Sequence, residues 1–287
     1  MTEIKPPMTA DELKSGISKM ANELYISVFA QYGKYIDSKV SFDENLYTLL
    51  LEQTQISFQK RVVRRLKTAG FLNVKTMNTF VMSKDFLPNL NFDELRDLTT
   101  CKFIDEKTDI CAVGPAGRGK THLALAIGYE AVCRGYSVKF RRVCDLITEL
   151  REAKSTKKLN DQMRLLSRCQ LLILDEFGYM NYDIESANFL YQIIGARYET
   201  GSTFYTSNLN FSEWVTFLGN DEKLAAAIAT RIAHNSIVLD TNGPKDWRLE
   251  HARSRRIKTA PDTSDKSIRD SDPDATHMVD QELPVEV

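Results

Sequence analysis

Short apolar runs alternate with stretches of helical periodicity over most of this 287-residue chain. Five runs have the length and apolar content of strands, at residues 109–113, 136–143, 171–176, 203–208 and 236–240. Helical patterns fill the intervals, at residues 122–133, 145–155, 157–167, 185–198 and 222–233. Strands that alternate with helices predict an α/β fold.

Helical patterns also dominate the N-terminal part of the chain. Residues 10–35 are compatible with a helix. Ser41 and the acids after it are typical of a helix start, and Gly70 is typical of a helix end, so we predict a helix over residues 42–68. Residues 73–90 have the composition of a linker. Residues 91–104 then predict a helix that leads into the first strand.

Composition adds limits to this picture. An apolar content of 43% and a charged content of 27% are typical of a globular protein, and a net charge of −1 places any basic surface locally. The five cysteines contain no C-x-x-C pair, which favours free thiols in a reducing cytoplasm. No apolar run predicts a signal peptide or a membrane span, so we expect a cytoplasmic protein without membrane contact.

Residues 114–121 match every fixed position of G-x-x-x-x-G-K-[ST], the phosphate-binding loop. A predicted strand precedes the loop and a predicted helix follows it, which is the context that the motif requires. We expect the loop to bind a nucleoside triphosphate, with Lys120 on the β- and γ-phosphates and the Thr121 hydroxyl on Mg²⁺. The eight predicted nucleotide-binding residues are Gly114, Pro115, Ala116, Gly117, Arg118, Gly119, Lys120 and Thr121.

Two carboxylates end the apolar run 171–174. In an α/β fold the chemistry lies at the carboxyl ends of the strands. We expect Asp175 to hold the Mg²⁺ shell together with Thr121, and Glu176 to orient and deprotonate the attacking water. This acidic pair predicts that the protein hydrolyses its nucleotide.

Basic residues gather near the end of the predicted helix 42–68. Residues 53–67 contain five basic side chains and no acid, namely Lys60, Arg61, Arg64, Arg65 and Lys67. Such a cluster is what contact with a nucleic-acid phosphate backbone requires, and it is also compatible with a merely solvated helix face. Composition leaves both interpretations open.

Three further polar residues are weaker candidates. Asn208 ends a predicted strand, where an amide can bind the γ-phosphate or the attacking water, although the local residues favour a turn-forming role. Arg231 and Arg248 could stabilise transition-state charge on the γ-phosphate, although a lone arginine is far more often a surface residue or an ion-pair partner.

Taken together, these motifs resemble those of the IstB-like ATP-binding proteins, the ATPase helpers of a class of bacterial insertion-sequence transposons. They are relatives of the DnaC-type helicase loaders within the AAA+ ATPases. The resemblance runs over residues 47–251. It rests on Leu49-Leu-Leu-Glu-Gln53, Arg64-Arg-Leu-Lys67, residues 114–125, Leu171-Leu-Ile-Leu-Asp-Glu-Phe-Gly-Tyr179, Thr206-Ser-Asn-Leu209, Phe211-Ser-Glu-Trp214 and Ala225-Ala-Ala-Ile228 ahead of Arg231.

The resemblance implies an AAA+ P-loop NTPase, with a five-stranded parallel sheet between helices and a small helical lid. It implies that Asn208 is a sensor, that Arg231 is a finger acting on a neighbouring subunit, and that Arg248 is the sensor arginine of the lid. It also implies ATP and Mg²⁺ as cofactors, a homo-oligomer, assembly on double-stranded DNA and a transposase partner. The loop departs from the family pattern at Arg118, which places a cation at its apex.

We therefore predict four regions. Residues 1–45 form a helical or flexible appendage, residues 46–90 a basic helical region, residues 91–251 the AAA+ ATPase domain, and residues 252–287 a basic and then acidic flexible tail. The first functional hypothesis is a DNA-binding ATPase that assists a transposase. The alternatives are a loader for a replicative helicase and, from another class, a nucleotide-gated DNA scaffold with negligible turnover.

Overall fold

Five parallel strands form the centre of the fold. The computed structural model describes residues 9–71, 73–210, 213–218 and 221–246. The strands are β1 (Asp109–Val113), β2 (Val138–Arg142), β3 (Leu171–Phe177), β4 (Ser202–Ser207) and β5 (Ser236–Asp240). They lie side by side in the order β2-β3-β4-β1-β5, and every neighbouring pair is parallel. All five carboxyl ends therefore lie at one edge of the sheet.

Helices cover both faces of this sheet. Along β1 and β3, alternate residues point to opposite faces because a strand repeats every two residues. Ile110 and Ile173 join one apolar core, and Cys111 and Leu172 join the other. These helices are α4 (Phe92–Leu98), α5 (Lys102–Asp105), α6 (Lys120–Cys133), α7 (Val143–Ser155), α8 (Leu159–Arg168), α9 (Ile184–Arg197), α10 (Trp214–Phe217) and α11 (Glu222–His234).

The N-terminal extension is helical. It contains α1 (Ala10–Glu23), α2 (Ser27–Ala30), a 3-10 turn (Tyr32–Lys34) and the long α3 (Phe42–Ala69). Ser41 caps α3 through a reciprocal hydrogen-bond pair with Glu44, and Gly70 ends it in the left-handed conformation at φ 87°. The predicted helix over residues 42–68 is therefore confirmed. The linker that follows contains one 3-10 turn (Met77–Thr79).

Two stretches predicted as continuous helices are broken. Tyr25 interrupts the first stretch at φ 59°, and Cys101 interrupts the second, between α4 and α5, at φ 62°. A residue in the left-handed region cannot continue a right-handed helix. After Tyr25, the amide of Ile26 donates to the carbonyl of Ala21, which closes the end of α1. Arg248, predicted as the sensor arginine of the lid, and the tail over residues 252–287 lie outside the described residues.

Candidate nucleotide site

The phosphate-binding loop connects β1 to the start of α6. Gly114, Gly117 and Gly119 adopt φ values of 141°, 79° and 82°, which side-chain-bearing residues rarely adopt. Lys120 is buried at the first residue of α6, and its Nζ donates to the carbonyls of Gly114 at 2.5 Å and Pro115 at 2.7 Å. The loop therefore curls around the lysine ammonium at a helix N-terminus, which is an arrangement suited to binding an anion.

Two segments flank the loop closely. A Cβ on Gly114 would lie 2.5 Å from Thr241 Oγ1, and a Cβ on Gly117 would lie 2.4 Å from the Asp246 carboxylate. On the other side, a Cβ on Gly119 would lie 2.8 Å from the Phe80 ring. These positions require glycine for their space as well as for their backbone conformation.

His122, on α6, contacts the linker that precedes α4. Its Nε2 lies 3.2 Å from both the Thr79 hydroxyl and the Thr76 carbonyl, and the Phe80 ring packs against it edge-on. Burial lowers the pKa of His122. Sequence reasoning gave His122 no role, and its place directly after Thr121 was the only signal available.

The first acid of the predicted pair lies beside the loop. Asp175 is buried, and its Oδ1 accepts hydrogen bonds from the hydroxyls of Thr121 at 2.9 Å and Thr206 at 2.6 Å. The structure therefore brings the end of β3 and the start of α6 together, as the motif spacing predicts. A threonine hydroxyl and a carboxylate are oxygen ligands of the kind that Mg²⁺ prefers.

The described residues contain no group of three or more His, Cys, Asp or Glu side chains that could hold a metal ion. Mg²⁺ is usually bound by one or two carboxylates together with substrate phosphates, and only rarely by a cage made of protein alone. The pair formed by Thr121 and Asp175 fits that pattern. It could hold Mg²⁺ once phosphates supply the other ligands.

The second acid sits on a bulge. Glu176 has a φ of 62°, and the register between β3 and β4 shifts between Leu174 and Phe177. The Glu176 amide donates to the Thr206 hydroxyl at 3.0 Å, which ties the bulge to β4. A bulge re-aims a side chain out of the regular alternation of a strand. Glu176 consequently remains half-buried beside the buried Asp175.

Thr206 is a site residue that sequence reasoning missed. Its hydroxyl donates to Asp175 and accepts from the backbone of Glu176, so one side chain contacts both acids of the pair. The available signal was its position two residues before Asn208 in a strand neighbouring β3. Only the pairing of β3 with β4 shows what Thr206 contacts.

Asn208 follows β4 at the edge of the sheet that carries the loop and the acids, and it is exposed. Because β4 lies between β1 and β3, the loop, Asn208 and the acidic pair share one short stretch of this edge. The structure thus groups the residues that the sequence placed far apart along the chain.

Arg231 lies elsewhere. It belongs to the last turn of α11, which leads into the amino end of β5, so it is directed away from the loop edge. Its guanidinium stacks on the Tyr191 ring at 4.4 Å from the centroid, and its Nη2 donates to the Tyr191 hydroxyl at 3.0 Å. Arg231 is therefore not part of the site formed by the phosphate-binding loop of the same chain.

The five basic residues of α3 are all exposed. Among the residues that the structure describes, none of the five forms an ion pair. Arg65 also passes near Gly135, where its Nη1 lies 3.2 Å from the position of a Cβ. The cluster is thus an uncompensated positive surface on the N-terminal extension.

The strand order, the phosphate-binding loop on β1 and the acidic pair on β3 together define a P-loop NTPase of the AAA+ class. Solved structures share this fold. AMPPCP-bound DnaA from Aquifex aeolicus matches with a TM-score of 0.50 at 19% identity, over 66% of this chain and 56% of that one. DnaI matches with a TM-score of 0.50 at 21% identity, over 58% of this chain and 90% of that one.

The chain belongs to the family of IstB-like ATP binding proteins, whose model matches residues 17–255. It is 36% identical to a protein of insertion sequence IS5376 from Geobacillus stearothermophilus that is named for ATP binding, over 86% of this chain and 98% of that protein. A similarly named protein of insertion sequence IS21 from Pseudomonas aeruginosa is 33% identical over 80% of this chain and 87% of its own length. Among the described residues, no helix has the length and apolar character that a bilayer crossing demands.

Proposed function

We propose that this protein hydrolyses ATP, assembles on double-stranded DNA in its ATP-bound form and assists a transposase. The observation that carries the first step is the contact of Thr121, Asp175 and Thr206 beside the phosphate-binding loop. This arrangement combines a phosphate cradle, oxygen ligands for Mg²⁺ and a neighbouring carboxylate. It is therefore equipped for hydrolysis as well as for binding.

Each residue has a separate task in the proposed reaction. The loop amides and the Lys120 ammonium bind the phosphates and stabilise the charge that develops on the γ-phosphate. Thr121 and Asp175 would hold Mg²⁺, which would supply positive charge to neutralise the phosphates. Glu176 accepts a proton from the attacking water, and Asn208 hydrogen-bonds that water or the γ-phosphate. The water oxygen forms the new bond to phosphorus, and ADP leaves.

Hydrolysis is tested with Glu176→Gln, which keeps the shape of the side chain and removes the base. We expect the variant to bind ATP and to assemble as the wild type does, with a turnover lower by about 10²-fold or more. Lys120→Ala is the comparison, because it should lose ATP binding as well. Turnover of Glu176→Gln equal to that of the wild type would remove Glu176 from the mechanism, whereas negligible turnover of the wild type itself would favour the nucleotide-gated scaffold.

Arg231 is proposed as a finger that acts on the ATP of a neighbouring subunit, because it lies away from its own loop. This role is tested by mixing Arg231→Ala with Lys120→Ala protein. Each variant alone should be inactive, whereas mixed assemblies should regain turnover by joining an intact loop to an intact finger. Tyr191→Phe is the control, since it removes one hydrogen-bond partner of Arg231 and keeps the ring. No recovery on mixing would assign Arg231 a structural role.

Arg248 is proposed as the sensor arginine of the lid, in line with the family resemblance. We expect Arg248→Ala to weaken the response to ATP, measured as the ATP concentration that gives half-maximal turnover. An unchanged response would remove Arg248 from the site.

Contact with DNA is proposed for the basic cluster on α3, because its five charges are exposed and lack acidic partners among the described residues. Each DNA phosphate that a variant no longer neutralises should reduce the slope of log affinity against log salt by about 0.9 for duplex DNA. The double variant Lys60→Gln and Arg64→Gln should therefore weaken DNA binding and reduce the magnitude of that slope by about 1.8, which corresponds to two lost phosphate contacts. Lys102→Gln with Lys107→Gln, on α5 and after it, is the matched control. Equal effects of both pairs would indicate non-specific attraction only.

The transposase partner is proposed because the similar proteins from Geobacillus and Pseudomonas are named for insertion sequences. The deciding measurement is ATP turnover with and without duplex DNA, with the size of the complex determined in the same samples. Stimulation by duplex DNA and a large ATP-dependent assembly would support the proposal. Turnover indifferent to duplex DNA, without assembly, would contradict it and favour the helicase-loader alternative.

A further inference from the structure

Arg118, at the apex of the phosphate-binding loop, carries donors without acceptors. Its Nε and Nη1 atoms are both buried, and neither forms a hydrogen bond with any residue that the structure describes. A guanidinium stays charged in proteins, so Arg118 cannot avoid this situation by losing a proton. Buried donors of a charged group that lack an acceptor cost free energy. The side chain at this position therefore requires an explanation.

The conformation of the loop does not require an arginine at position 118. The left-handed turns are made by the glycines on either side, at φ 79° for Gly117 and 82° for Gly119. An apolar side chain between them would leave those turns in place and would bury no unpaired donor. The guanidinium is thus explained by something other than the local backbone.

Side chains that lie against the loop do not supply the acceptors. A Cβ on Gly119 would lie 2.8 Å from the Phe80 ring, which has no acceptor atom, and a Cβ on Gly117 would lie 2.4 Å from an oxygen of Asp246. The Asp246 carboxylate is therefore close to the apex, yet it accepts from neither Nε nor Nη1 of Arg118. The acceptors for these two atoms are to be sought outside the described chain.

Phosphate oxygens are the acceptors that such a loop receives. In a phosphate-binding loop the backbone amides surround the α- and β-phosphates, and the lysine reaches the β- and γ-phosphates. Arg118 lies within the stretch that provides these amides, two residues before Lys120. A guanidinium binds phosphate through charge-assisted hydrogen bonds, which are stronger than hydrogen bonds between neutral groups. The chemistry of the side chain and that of the loop therefore point to the same ligand.

We propose that the Arg118 side chain binds the α- and β-phosphates, which ADP and ATP share, and that it sets how tightly the chain retains either nucleotide. This inference rests on the nucleotide binding of the proposed function and adds a side-chain contact to it. Because Nε and Nη1 are shielded from solvent, the guanidinium must turn toward the phosphates when a nucleotide enters. Neither atom gives up a hydrogen bond in that movement. Arg118 thus acts on substrate and product alike.

The first test is the affinity of the full-length protein for ADP and for AMPPCP, measured by calorimetry without DNA. Arg118→Met keeps an apolar stem and removes every donor. We expect both affinities to fall by about 10- to 100-fold, the range that corresponds to a hydrogen bond with a charged group. Arg118→Lys keeps the charge without the planar fork and should lose less. Lys245→Gln is the matched control, because Lys245 is an exposed cation next to Asp246 and should not affect either affinity.

Each outcome of this test decides one question. Unchanged ADP affinity in Arg118→Met would overturn the proposal, and a loss confined to AMPPCP would overturn it by assigning Arg118 to the γ-phosphate. An equal loss in Lys245→Gln would reduce the effect to general charge near the loop. Thermal unfolding without nucleotide shows whether Arg118→Met folds, and Arg118→Lys carries the test if it does not. A wild type that binds neither nucleotide would instead contradict the proposed function itself.

The second test is the release of a fluorescent ADP analogue, chased with unlabelled ADP. Affinity differences between related complexes arise mostly in the dissociation rate. Release from Arg118→Met should therefore be faster than from the wild type by about the same factor as the loss of affinity. A lowered affinity with an unchanged release rate would show that Arg118 assists the entry of the nucleotide without holding it, which would refute the contact with the bound phosphates.

Discussion

Thr206 offers a sharp test of how the proposed hydrolytic site is built. Its hydroxyl donates to Asp175 at 2.6 Å and accepts from the Glu176 amide at 3.0 Å. Thr206→Val has nearly the same shape and removes only the hydroxyl. The variant would leave a buried carboxylate with one hydrogen bond fewer and would release the bulge that carries Glu176.

The size of the effect follows from these contacts. A hydrogen bond to a charged group contributes about 1.5–3 kcal/mol, and about 1.4 kcal/mol corresponds to a tenfold change in rate. Turnover should therefore fall by about 10- to 100-fold if the transition state also depends on the hydrogen bond from Thr206. ATP binding should change little, because the loop and Lys120 are untouched. The assay is steady-state ATP hydrolysis together with equilibrium binding of ATP.

A matched control separates chemistry from stability. Thr203 lies on the same strand and is also buried, and its hydroxyl accepts from Arg197 Nε at 3.0 Å near the amino end of β4. Thr203→Val should lower the free energy of unfolding without the same loss of turnover, and Thr206→Ser should restore turnover. Wild-type turnover in Thr206→Val, or an equal loss in Thr203→Val, would refute the positioning role of Thr206.

Two further predictions concern stability. Gly128→Ala should destabilise the fold by about 1–3 kcal/mol, because its Cβ would lie 2.6 Å from Ile173 Cδ1, whereas Gly16→Ala on α1 meets nothing and should be neutral or stabilising in thermal unfolding. Burial raises the pKa of Asp109 to about 7, so the folded protein keeps a proton that the unfolded chain loses above about pH 4. The free energy of unfolding should fall as pH rises from about 4 to about 7. Asp109→Asn should remove this pH dependence, measured by urea titrations at a series of pH values. An unchanged pH dependence would contradict the assignment.

The sequence by itself determined the fold class, and it predicted that the chemistry lies at the carboxyl ends of the strands. The periodicity of apolar residues and the motif at residues 114–121 are local signals, because strand alternation, helix capping and a glycine-rich turn depend on neighbouring residues. For the same reason the long helix α3 was predicted to within one residue at its end. The acidic pair was predicted from its place after a buried strand.

Only the tertiary structure decided which distant residues meet. The bond between Thr206 and Asp175 exists because β4 pairs with β3, and nothing near Thr206 in the chain indicates that pairing. The contact of Arg231 with Tyr191 likewise depends on the packing of α11 against α9. The breaks at Tyr25 and Cys101 were missed because a left-handed residue other than glycine leaves no mark in the apolar pattern. Local interactions determine where each helix and strand forms, whereas long-range packing determines which of them are in contact.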